Sequence, residues 1–187
     1  MSSEAEAILR SWSSPPWVNL TLCITGLVYV RGWLRIRSLL PEAIPTWRLA
    51  AFLSGLLSLW IAIGSPLAAF DDVSLSVHMV QHLLLMAVVP PLALLGAPSL
   101  PLLRGLPQSI VRGAVGPLLR WAPVKSFARL ITNPASCWLL ATIALFGWHV
   151  PAAFEMALHS DSWHEVEHIC FLSTSLLFWW PAVQPFP

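Results

Sequence analysis

The sequence predicts an all-α integral membrane bundle of about five transmembrane helices, and three observations predict it. Hydrophobic residues fill 57% of the 187 positions, only 10% are charged, and the mean hydropathy is +0.72. A soluble domain carries about 25% charged residues, so this chain has too little polar surface to cover a water-soluble globule. Five apolar runs also approach the roughly 20 residues that a helix needs to cross a bilayer. Backbone groups in lipid must find their partners within the segment, and a helix does this unaided.

The elements follow in order. Residues 1–16 mix Glu4, Glu6 and Arg10 with serines and end in Pro15-Pro16. They lack the apolar core and small-residue cleavage site of a signal peptide, so the first hydrophobic run is expected to be retained. That run covers residues 17–36, provided that Arg31 snorkels toward the interface. A second covers 47–67, with Pro66 closing it. A third covers 74–95, where Pro90 and Pro91 should kink or end the helix. A fourth covers 134–149 and stops before Pro151. A fifth covers 163–180 and stops at Pro181. Tryptophans such as Trp17, Trp47, Trp148, Trp163, Trp179 and Trp180 flank these runs and read as interfacial anchors.

Residues 96–133 separate the third and fourth runs. Pro98, Pro101, Pro107, Pro117 and Pro123 forbid one long helix there. Short apolar pieces carrying Arg104, Arg112 and Arg120 are expected to lie on the cytoplasmic membrane surface, arginines toward lipid phosphates. Residues 1–187 are read as one transmembrane domain, with membrane lipids as its surroundings. No basic cluster interleaved with aromatics supports nucleic-acid binding. A homo-oligomer is compatible with these spans.

Topology follows from where Lys and Arg sit. Arg31, Arg35, Arg37 and Arg48 lie between or bordering spans one and two, and Arg104, Arg112, Arg120, Lys125 and Arg129 between three and four. These are nine of the ten basic residues. The other connections have none, so the N-terminus should face outward and the C-terminus the cytoplasm. Asp71, Asp72, Glu155 and Asp161 then fall in outer loops, and all six histidines fall in the outer third of the bilayer or just above it.

Two of those histidines, His78 and His82, stand four residues apart at the start of span three. His164 and His168 repeat the spacing at the start of span five. On a helix such pairs share one face. Two facing pairs could supply four imidazole nitrogens, and His149 at the end of span four could supply a fifth. Ionisable groups within a membrane are costly, and their default reading is functional. The site residues expected for a metal are therefore His78, His82, His149, His164 and His168, with His159 left in its loop. Imidazole suits zinc, copper, iron and nickel alike. Met79, Met86, Met156 and Cys170 are soft groups that would help hold Cu(I), while Glu165 and Glu167 are orienting partners or alternative ligands. Cys23, Cys137 and Cys170 form no CxxC, and no disulfide framework is expected. Two other readings stay open. A bis-histidine haem could use one histidine from each helix, such as His82 and His168. A membrane zinc hydrolase could use three histidines, a water and a carboxylate base such as Glu167 or Asp72.

Three ordered blocks carry a resemblance. His78-Met79-Val80-Gln81-His82, followed by Pro90-Pro91 and Leu95-Gly96-Ala97-Pro98, is the first. Trp148-His149-Val150-Pro151 is the second, and His164-Glu165-Val166-Glu167-His168 with Phe178-Trp179-Trp180-Pro181 is the third. Together they resemble the multi-span CtaG-like cytochrome c oxidase assembly factors associated with caa3-type oxidases, over roughly residues 47–187. The resemblance implies a bacterial-type cytoplasmic membrane and oxidase subunits as partners. It also implies a non-catalytic role in maturing the oxidase by handling copper on the outer side. The five histidines match the family's. Members of that family continue with further spans after the Trp-Trp-Pro block, where this sequence stops at Pro187.

Overall fold

In the computed structural model, residues 12, 14–39, 44–67 and 74–183 are described, and no strand occurs among them. The helices are α1 (Pro16–Arg37), α2 (Thr46–Gly64), α3 (Leu75–Leu95), α4 (Ser99–Gly105), α5 (108–120), α6 (Ala122–Ile131), α7 (Pro134–Trp148), α8 (Pro151–Leu158) and α9 (Asp161–Val183). Prolines open several of them, where the first N–H is unused in any case: Pro16 in α1, Pro134 in α7 and Pro151 in α8. Asn133 adds a side-chain cap, its Oδ1 accepting from the Ala135 N–H at 3.0 Å.

Among the described residues, three helices are long and apolar enough to cross a membrane: α2, α3 and α9. The count rises to four if α6 and α7, bent by 69° at residues 132–133, form one broken span. Helix α1 falls outside this set although it has 22 residues, and it carries Arg31, Arg35 and Arg37 in its second half. The described residues thus form an all-helical membrane protein with three or four candidate crossings.

Helix α3 is the centre of the bundle, with α2 on one side and α9 on the other. Lipid tails are as apolar as leucine, so helices in a membrane associate through close packing and hydrogen bonds rather than hydrophobic burial. Glycine makes the closest approaches. A Cβ on Gly55 of α2 would stand 2.9 Å from the Ala93 nitrogen of α3. Gly32 of α1 and Gly105 of α4 are tighter still: a Cβ on either would collide with a backbone carbonyl oxygen, that of Pro101 or of Val28. Arg35 Nη1 adds a hydrogen bond to the Arg104 carbonyl at 2.9 Å. Helix α4 is therefore seated directly on α1.

The buried cluster Tyr29, Trp33, Ile36, Ile44 and Phe52 closes the bundle at the C-terminal end of α3. Tyr29 stacks on Phe52 with centroids 3.9 Å apart, and its hydroxyl donates to the Gly96 carbonyl at 2.7 Å. The next residue, Ala97, has φ of +46°, a left-handed conformation in which it ends α3.

Prolines shape α3 internally. A helical carbonyl accepts from the N–H four residues on, so Pro90 and Pro91 leave Met86 and Ala87 without that donor. Residues Leu84–Val88 widen into a π turn, in which the Val89 N–H reaches Leu84. Helix α5 does the same at Val111–Val115, just ahead of Gly116-Pro117.

Candidate metal centre

At the opposite end of α3, its first two turns bury His78, Gln81 and His82, each 4% exposed or less. These positions follow the i, i+3, i+4 spacing of one helix face. On α9 the same spacing places His164, Glu167, His168 and Phe171 together, and Glu167 is 1% exposed. The two helices run side by side so that the pairs meet rung by rung. His78 stacks on His164 with centroids 5.3 Å apart and planes 18° apart, and His82 meets His168 edge-on at 5.5 Å. Within each pair the rings are 4.2 Å (His78 and His82) and 4.1 Å (His164 and His168) apart. Phe154 of α8 stands edge-on to His78 at 6.1 Å, and Phe171 packs 4.7 Å from His82.

Donor atoms of His78, His82, His164 and Glu167 all lie within 4.8 Å of one another. An ion with bonds of about 2.0–2.2 Å fits among them after small side-chain rotations. The chemistry of the donors also suits an ion. Both ring nitrogens of His82, Nε2 of His168 and Oε2 of Glu167 are buried without a hydrogen-bond partner. Glu167 Oε1 is 3.9 Å from His82 Nε2, too far for a hydrogen bond but close enough for one ion to bridge. Buried polar atoms left this way cost free energy unless something coordinates them.

The other expected ligands sit further out. His168 lines the cluster through its contacts with His82 and His164 but is not among the four closest donors. His149 is exposed and lies across Phe171, 6.2 Å from that ring. Its Nδ1 lies 2.6 Å from the Leu145 carbonyl. A carbonyl can only accept, so Nδ1 carries the proton and Nε2 keeps the ligating lone pair. His159 is exposed as well, with Nδ1 donating to the Glu155 carbonyl at 2.7 Å. Cys170 is not part of the donor group. Asp71 and Asp72 lie outside the described residues.

Sequence reasoning left Glu167 open as an orienting partner or an alternative ligand, and the structure brings its carboxylate in among the close donors. The signal was present, because residues 164–168 spell both H-E-x-x-H and H-x-x-E-H, patterns that place zinc between two histidines one turn apart. Only the fold decides which carboxylate counts: Glu165, one residue after His164, is exposed, whereas Glu167, three after it, faces the rings.

The model of one family, described as cytochrome c oxidase caa3 assembly factor (Caa3_CtaG), matches residues 27–187. The chain belongs to this family. The match includes all six histidines and every helix from α2 to α9. Among the chain's curated relatives, an uncharacterized protein of Mycobacterium leprae is 26% identical over 174 residues, 92% of this chain and 26% of that protein. Uncharacterized proteins of Mycobacterium bovis and Mycobacterium tuberculosis are each 25% identical over 181 residues, 94% of this chain and 27% of theirs. The chain thus spans about a quarter of the length of the curated relatives it matches. No solved structure matches it.

Proposed function

We propose that the His78–His82–His164–Glu167 cluster is a transfer site for a copper ion destined for cytochrome c oxidase. The observation that carries this reading is the set of four mutually close donors in a family of oxidase assembly factors. Copper is here a cargo, so the protein acts as a metallochaperone and not as an enzyme. The three imidazoles would hold the ion, Glu167 would offset its charge, and His149, with Nε2 directed away from its own helix, would receive or release it at the margin. Cytochrome c oxidase subunits are the partners of this reading.

The topology belongs to the same proposal. Five crossings, α1 included, put the N-terminus outside the cytoplasmic membrane, the histidines near the outer face and the C-terminus in the cytoplasm. The segment 96–133 then meets the inner leaflet, with Arg112, Arg120, Lys125 and Arg129 toward lipid phosphates.

One observation favours a second reading. The H-x-x-E-H order of residues 164–168 suits zinc, and a zinc hydrolase would hold the ion on the three histidines and use Glu167 as base rather than as a fourth ligand. The packing argues against haem, because rings 4.1–5.5 Å apart leave no slot for a flat macrocycle. Elemental analysis after copper or zinc loading, beside the His78→Ala/His164→Ala double variant, tests these readings. Copper kept by the parent and lost by the variant supports transfer. Stoichiometric zinc without copper favours the hydrolase. Equal, negligible metal in both sinks the site.

A further inference from the structure

We infer that Trp179 is a positioning residue of the metal site, a clamp that fixes α9 in register against the histidine helix through a carbonyl that Pro90 leaves without its helical donor. The indole Nε1–H of Trp179 donates to the Met86 carbonyl at 3.0 Å. Met86 is one turn beyond His82 on α3, within the π turn. An N–H could serve its carbonyl from four residues on in an α turn or five on in a π turn, and both positions are prolines, Pro90 and Pro91. In a lipid-surrounded helix such a carbonyl finds no water and takes a donor from a neighbour. Trp179 supplies it from the helix that carries His164, Glu167 and His168.

The opposite side of α3 is fixed in the same manner. Gln81, between the two histidines in sequence, donates through Nε2 to the Ala62 carbonyl of α2 at 2.8 Å. Ala62 lies in the last turn of α2, which ends at Gly64 ahead of Pro66, so its carbonyl has no helical donor. The histidine helix is thus tied to each neighbour at a carbonyl without a helical donor. These ties act on position along the axis, which apolar side-chain packing leaves free to slide. A ligand set drawn half from α3 and half from α9 needs that coordinate fixed, since displacements near 1 Å decide whether a constellation works.

The inference rests on the metal-site reading, so its test separates the two. Copper(II) and zinc(II) affinities are measured for the parent, Trp179→Phe, Pro90→Ala and the double variant, each folded in detergent. Phenylalanine keeps the ring and deletes the donor. Alanine at 90 offers Met86 an intrahelical N–H and so takes the acceptor away from Trp179. Both break one link, so each should lower affinity about tenfold, as loss of one hydrogen bond does, and the double variant should be no worse than either. The double should regain stability relative to Trp179→Phe alone, because its carbonyl is satisfied again, yet not regain affinity. That split is what a merely structural role would not produce.

Spin labels at Leu83→Cys and Ile169→Cys, with the native cysteines replaced by serine, provide a metal-free readout. Both positions are exposed, on α3 and α9 respectively. Trp179→Phe should broaden the interlabel distance distribution. An unchanged distribution overturns the clamp, as does parental affinity in Trp179→Phe. A parent that binds neither ion refutes the metal site alone and leaves the distance measurement to decide the clamp.

Discussion

His78 and His164 are stacked nearly parallel, centroids 5.3 Å apart, although they are far apart in the sequence. Each brings its partner one turn on, so a single contact between α3 and α9 creates a four-imidazole wall. Substituting either should remove one of the four mutually close donors. His78→Ala or His164→Ala is expected to weaken copper(II) or zinc(II) binding by at least about 100-fold, the upper range for losing even an outer partner of a ligand. Competition with a chelator reads this directly. Lowering the pH should also release the ion from the parent, since imidazole ligates only when neutral.

Glu167→Gln should move stability and affinity in opposite directions. The carboxyl is buried and its Oε2 has no hydrogen-bond partner, so the amide removes an ionisable group from the interior. Metal-free stability is expected to rise by about 1 kcal/mol, as when an uncompensated buried charge is neutralised. Divalent affinity should fall roughly 10–100-fold. Denaturation in detergent and metal titration, run on the same preparation, check both signs. A parallel loss of both would mean that Glu167 serves the fold.

Gly32→Ala tests the seat of α4 on α1. The added methyl would meet the Pro101 carbonyl carbon and oxygen, and backbone cannot step aside as a flexible side chain does. Destabilisation of about 3 kcal/mol or more is expected, the upper end for overpacking. Gly113→Ala is the control, because nothing lies within 4 Å of a Cβ there.

Ala97→Gly should stabilise the protein. At φ of +46° an L side chain crowds the following carbonyl, at a cost of about 1–2 kcal/mol. Glycine avoids that cost but gives back part of it through greater freedom in the unfolded chain. A net gain of about 1 kcal/mol in thermal or denaturant unfolding is the expected result.

Much of this was legible in the sequence for physical reasons. The i, i+4 spacing of the histidines fixes one face on any helix, and equal spacing in α3 and α9 lets the two faces meet. Composition required a membrane and therefore helices. What escaped depended on tertiary geometry. Glu165 and Glu167 have the same chemistry, and only the rotation of α9 selects between them. His149 follows the last residue of α7, where its ring folds back onto Leu145 and stands behind Phe171. The seating of Ser99–Gly105 on α1 was hidden in a proline-rich stretch, since two glycines far apart in sequence announce no contact. Likewise, Pro90 and Pro91 read as helix breakers, whereas in the fold they free an acceptor for Trp179.

The crossing of Gly32 with Gly105 also sets an order of events during synthesis. The two residues cannot touch until the ribosome has made residue 105, when α2 and α3 are already complete. Until then the glycine face of α1, with three arginines in its second half, has no α4 to cover it. Helix α1 thus packs on α2 before α4 exists, and its Gly32 face is the part that waits. A chain interrupted before residue 105 would expose that face to any other membrane protein or quality-control protease.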